Sequence, residues 1–249
     1  WPFLSGFAAL ALYKNERPQA AWFYVEGAKS LPFLEARGYV AELFSGDRAK
    51  PVDAAVPHQL FSTTGLVAPL LRGLVGIEPG KLSLRIPAGW NRLRVKNLRH
   101  GGVYDLDWTR RRSGKDTIET LKLTPVAASA LPELVVRRDL PLGAKVAGPT
   151  PFSWMPKPGR EAQTKELRYR GGIEIVPLHE PLRSGERSSR LRILDDRIEG
   201  DTYVVRLEGR RGRSYRVRVE DDAPREIEIP IPDGPGEWGA LEMRFPLKP

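Results

Sequence analysis

The sequence predicts an α+β chain in which the two kinds of structure are segregated, with helices in residues 1–78 and an antiparallel, β-sandwich-like domain in 79–249. Two observations carry this. Before residue 79, large apolar residues recur three and four apart, the repeat of one helix face; afterwards they alternate with charged residues, the repeat of a half-buried strand.

Phe3, Phe7, Leu10 and Tyr13, with alanines filling the gaps, predict the first helix. Arg17-Pro18 ends it, and Pro18 suits the first turn of a second helix running to about Ser30. A third starts near Pro57, carries Leu60, Thr64, Val67, Leu70, Leu71 and Leu74 along one side, and ends between Gly73 and Gly76, where glycine can cap it. Between the second and third helices, Arg37 to Val56 reads as an irregular loop of the kind that carries function.

The strand pattern begins with Lys81–Ile86, Arg92–Lys96 and Val103–Trp108. It returns in Gly172–Val176, Thr202–Leu207, Ser214–Glu220, Arg225–Ile229 and Trp238–Phe245, with Gly209-Arg210-Arg211-Gly212 as a connection between two strands. Short strands punctuated by Gly and Pro favour an antiparallel sandwich. Residues 141–170, rich in Pro, Gly and Lys, read as an irregular segment crossing it, and Gly171-Gly172 as a turn into a strand.

Composition narrows the function classes. The chain has 249 residues, 41% of them hydrophobic and 29% charged, enough apolar mass for a core. Its longest nearly uncharged stretch, Pro57–Leu71, is too short to span a bilayer as a helix, so no membrane partner is expected. With no cysteine there are no disulfides or thiolate metal sites, which is compatible with the cytoplasm and with export to a bacterial periplasm; export is slightly favoured. The chain opens on Trp1 rather than methionine, as a fragment or a processed product would.

The net charge of +9 invites a nucleic-acid reading. Residues 1–80 hold seven Lys/Arg and seven Asp/Glu, so the excess lies beyond them, where basic residues alternate with acidic and apolar ones, as in Arg216-Val217-Arg218-Val219-Glu220. Alternation of that kind is the solvent face of a sheet, and no nucleic-acid partner is expected.

Three segments fall in order: Trp1-Pro2-Phe3-Leu4-Ser5-Gly6, Glu42-Leu43-Phe44-Ser45-Gly46-Asp47 and Pro57-His58-Gln59-Leu60-Phe61-Ser62. Together they resemble the C-terminal end of the six-hairpin α/α-toroid glycoside hydrolases, the group holding trehalases and processing α-glucosidases. The similarity is greatest to bacterial amylo-α-1,6-glucosidase, or glycogen-debranching-like, proteins, and it covers residues 1 to about 125. It implies that residues 1–78 are the closing helices of a truncated α/α toroid, with the missing N-terminal part of the same protein as a partner and an oligo- or polysaccharide α-glucoside as substrate. No cofactor is implied.

The resemblance also implies roles. Such enzymes invert at the anomeric carbon, using a general acid from an earlier hairpin and a general base near the end of the domain. Inversion needs room for water between the carboxyl groups, ~6.5–9.5 Å. Glu42 stands where the base is expected. Counted alone it would read as one surface glutamate among many; the motif order singles it out. Asp47 is expected mainly to brace its loop by accepting backbone N–H groups, and less to touch sugar. Trp1 is placed to stack on a pyranose, while Phe3 reads as core. His58 and Gln59, at the start of the last helix, can fix sugar hydroxyls by directional hydrogen bonds. His100 and His179 lack such support, and no metal site is expected.

The expected general acid is missing. The only aspartates in residues 1–80 are Asp47 and Asp53, both on the base's side of the site. Acid or base assistance is worth typically ~10²–10⁴-fold, so the chain alone is expected to be inactive. The competing reading is a non-catalytic carbohydrate-binding or interaction module, with Trp90, Trp108, Trp154 or Trp238 exposed on a sheet face as stacking platforms.

Overall fold

The computed structural model describes residues 1–33, 38–45, 48, 50–87, 89–146, 152–178 and 190–247. Its helical part is α1 (Pro2–Lys14), α2 (Pro18–Ala28) and α3 (Leu60–Ala68), the last continuing into a π-helical turn at Pro69–Leu74. Pro2 and Pro18 each stand in a first turn, where the missing N–H costs nothing. Helices α1 and α3 cross at glycines: a Cβ on Gly6 would lie 2.0 Å from the Gly65 carbonyl oxygen. Ala9, Tyr13, Ala21, Val25 and Leu74 fill the space between the helices, and Trp90 and Leu93 of the β region pack against them.

The predicted α/α toroid is contradicted. Strands make up 48% of the structure and helices 19%, and the three short helices do not form a helical ring. Periodicity reports which face of a helix is apolar, not what that face meets. Here α2 lies against the β region, with Trp22 edge-to-face on Trp90 at 4.7 Å and Glu26 paired with Arg190 at 2.6 Å. Arg17 holds Asp195 and Asp196, each at 2.7 Å.

The β region begins with β1 (Ile77–Glu78), β2 (Lys81–Leu84), β3 (Arg92–Arg99), β4 (Val103–Ser113), β5 (Asp116–Pro125) and β6 (Val135–Arg138). It continues through β7 (Leu142–Val146), β8 (Phe152–Trp154), β9 (Gln163–Pro177) and β10 (Arg192–Glu199). It ends with β11 (Thr202–Arg210), β12 (Ser214–Glu220), β13 (Arg225–Pro230) and β14 (Trp238–Pro246). The largest sheet runs β13-β12-β9-β5-β4-β3, with β7 also pairing β9; smaller sheets run β1-β2-β6-β8 and β10-β11-β14. Pairing is antiparallel except between β2 and β6, where Leu82 faces Val136 in parallel register.

Two cores result. Leu82, Leu84 and Val136 of the first small sheet pack on Tyr104, Leu106, Trp108 and Leu123 of the large one. Tyr203, Val205, Leu207 and Phe245 of the second small sheet pack on Ile173, Ile175, Val217, Val219 and Ile229 of its other end. Strand β9 belongs to both halves. It bends at Gly171 and Gly172, whose φ values of 62° and 85° suit residues without a Cβ, so the pair interrupts a strand rather than leading into one. Residues 141–170, read from the sequence as irregular, hold β7, β8 and the first half of β9.

Glu119 of β5 ties the first half together. Only 2% exposed, it accepts hydrogen bonds from Trp108 Nε1, Arg138 Nε and Nη2, Arg110 Nε and Tyr169 Oη at 2.9–3.2 Å. Burial pushes its carboxyl up, but the charges of Arg138 and Arg110 outweigh that and hold it near 2.

Candidate functional site

The segment before α3 doubles back on itself. Glu42 N–H donates to Val56 O at 3.0 Å, Val52 N–H to Leu43 O at 3.3 Å and Ser45 N–H to Lys50 O at 2.9 Å, with a bridge between Phe44 and Pro51. Gln59 N–H donates to Val40 O at 3.0 Å. The backbone groups of this loop thus largely satisfy one another, which allows an ordered loop without long strands. Its register sets residues 40–42 beside 56–59.

That pairing sets the backbones of Glu42, His58 and Gln59 near one another at one rim. Glu42 is partly buried, and among the described residues nothing hydrogen-bonds or ion-pairs with its carboxylate. His58 is exposed, its ring 4.2 Å from the ring of Tyr39. Gln59 is the N-cap residue of α3, yet its side chain does not cap the helix. Trp1 is 60% exposed at the head of α1. The first turn of that helix meets α3 through Phe3 and Phe61, whose rings are 5.5 Å apart. Asp47 lies outside the described residues.

Sequence reasoning missed Tyr39 and Phe61. Tyr39 is 49% exposed and supports the His58 ring; an aromatic directly after Gly38 in a loop was the available signal. Phe61 read as part of a helix, but it is 60% exposed. The outer faces are unusual as well. Trp1 at the head of α1 with Leu4, Phe7 and Ala11 along it, and Leu60, Thr64 and Val67 on α3 with Leu71 in the π-helical turn, recur at helical spacing and all face out. An ordinary amphipathic helix presents charged and polar residues there.

The tryptophans named as sheet platforms divide. Trp108 is 1% exposed, so the expectation of a stacking surface there is corrected: its indole N–H is spent on Glu119. Trp154 packs against the first core, and Trp238 lies under the guanidinium groups of Arg192 and Arg210. Trp90 is partly buried against Trp22. His100 is held by Tyr104 Oη at 3.1 Å and Glu78 O at 2.7 Å, a structural histidine.

Charges on the sheets are interleaved. Arg197 pairs with Asp195, Glu199 and Glu242, and Arg244 with Glu199 and Glu242. Among the described residues no group of three or more His, Asp or Glu could hold a metal ion, and no helix is long and apolar enough to cross a membrane. Comparisons with protein-family models, with curated proteins and with solved structures each return no match.

Proposed function

We propose that residues 1–78 supply the general-base side of an inverting α-glucoside hydrolase whose general acid lies outside these 249 residues. The observation that carries this is the register of the loop. It sets a carboxylate with no partner among the described residues near an exposed imidazole, an amide that does not cap its helix and an aromatic ring, the mixture a sugar-hydrolysing rim needs.

Chemically, the Glu42 carboxylate accepts a proton from a water molecule as the water oxygen attacks the anomeric carbon. The bond from that carbon to the glycosidic oxygen breaks on the opposite face, and a second carboxylic acid protonates the departing oxygen. The product carries the inverted configuration. His58 and Gln59 hold hydroxyls, and Trp1 offers a ring face.

The outward apolar stripes on α1 and α3 support the second half of the reading. Apolar surface of this kind is stabilised by burial, at ~25 cal/mol per Å², and its natural cover is further chain of the same protein. The interleaved charges of the sheets favour a neutral saccharide over a nucleic acid as partner.

The test is a panel of trehalose, maltose, isomaltose and an α-1,6-branched dextrin, offered to this chain and to the full-length protein. Hydrolysis by the longer protein alone, releasing the inverted anomer, is the expected result. Turnover by this chain unaided overturns the split-site reading and moves attention to Asp47.

A further inference from the structure

We propose that the groove between α2 and the β9–β12–β13 end of the large sheet is a second saccharide-binding site, which holds a neutral oligosaccharide without cleaving it. The groove is open and encloses about 440 Å³, within the usual ~300–1,000 Å³ of ligand sites. Its walls include Gln19 and Trp22 from α2, Trp90 before β3, and Arg216, Arg218 and Glu226 from the sheet. It is distinct from the Glu42 rim, none of whose residues lines it.

Three features select the ligand class. The rings of Trp22 and Trp90 meet at 84° with centroids 4.7 Å apart, an apolar corner suited to the C–H face of a pyranose. Gln19 Oε1 is buried and has no hydrogen-bond partner among the described residues. Because that oxygen has no hydrogen bond to lose among the described residues, turning the partly buried amide out toward a ligand hydroxyl breaks none. The charges, finally, are balanced: Arg218 pairs with Glu220 at 2.6 Å and Arg216 with Glu226 at 3.9 Å, while Glu26 at the same wall pairs with Arg190. A site for an anion would leave its arginines uncompensated; this one offers aromatic surface and planar polar groups with little net charge.

Backbone geometry keeps the groove in shape. Gly89 has φ +76°, and a Cβ there would fall 2.5 Å from an Arg218 guanidinium nitrogen, so this glycine lets the arginine lie flat along the wall.

The choice of an α-glucan as the oligosaccharide rests on the function proposed above; the preference for a neutral sugar rests on the groove alone. The experiment titrates the 249-residue chain with maltoheptaose, followed by tryptophan fluorescence and calorimetry. The wild-type chain is compared with Gln19→Ala/Arg216→Ala and with Glu42→Gln/His58→Ala. Arg216 is largely exposed, so its loss leaves folding intact. The expected result is saturable binding that is weakened about tenfold or more in the groove variant, whatever the rim variant loses at its own site. Weakening only in the rim variant overturns the groove and leaves the hydrolase reading standing. Absence of saturable binding, or displacement of the sugar by inorganic phosphate, overturns the groove as a neutral-glucan site. Whether hydrolysis depends on Glu42 is read separately in the full-length protein, so failure of one proposal does not conceal failure of the other.

Discussion

Gly6 of α1 and Gly65 of α3 touch backbone to backbone: a Cβ on Gly6 would sit 2.0 Å from Gly65 O, and one on Gly65 would sit 2.6 Å from Pro2 O. Glycine in mid-helix normally costs about 1 kcal/mol against alanine, so Gly→Ala is stabilising where there is room. Here there is none. Gly65→Ala is expected to destabilise the chain by about 1–3 kcal/mol, read as a lower urea midpoint. Gly27 is the contrast, since a Cβ there meets only the end of the Arg190 side chain at 3.3 Å. Gly27→Ala is expected to be neutral or to gain up to about 1 kcal/mol.

Glu119 faces two arginines with almost no solvent. Glu119→Leu leaves Arg138 and Arg110 without their counter-charge, and breaking such a buried pair costs about 3–5 kcal/mol. Trp108→Phe keeps the ion pairs and removes one donor, so about 1–3 kcal/mol is expected. Denaturant unfolding of the two variants checks the order as well as the size.

Glu174 of β9 behaves in the opposite sense. Burial outweighs the attraction of Arg110 and Arg138 and raises its carboxyl from 4.5 to about 7. The folded chain therefore binds the proton more tightly than the unfolded chain, and stability falls as pH rises from about 4.5 to about 7. Glu119, depressed to about 2, contributes stability that is present above 4.5 and lost as pH falls toward 2. From these two groups, melting temperature is thus expected to peak near pH 4.5 and to fall on either side. Glu174→Gln should flatten the limb between pH 4.5 and 7 and raise stability at pH 8 by about 1–3 kcal/mol.

These positions show what the sequence could and could not reveal. Phe3, Phe7, Leu10 and Tyr13 announced a helix because a period near 3.6 is a local signal. That α2 would rest on Trp90 of the β region, instead of on a ring of further helices, depends on contacts distant in sequence. Strands β5, β6 and β10 were overlooked: Glu119, Arg138 and Asp196 put charge at buried or partly buried positions, which blurs the alternation. In residues 141–170 the prolines and glycines hid β7, β8 and the start of β9. Motif order singled out Glu42, His58 and Gln59 as candidates, while the pairing of residues 40–42 with 56–59 and the place of Tyr39 depend on how the loop folds back.

The stripe of Leu4, Phe7, Val67 and Leu71 contacts solvent, so it contributes little to the stability of this chain. Phe7→Asp is expected to leave the unfolding midpoint within about 0.5 kcal/mol and to lower the binding of a hydrophobic dye. On the proposal that further chain of the same protein covers this face, the same change should destabilise the full-length protein by more than about 1 kcal/mol.

The most direct measurement is Glu42→Gln in the full-length protein, following hydrolysis of the substrate identified by the panel. The expected result is a loss of about 10²–10⁴-fold in kcat with KM and melting temperature little changed, as removal of a general base requires. Normal turnover in that variant, with the inverted anomer still released, would contradict the assignment of Glu42 as base.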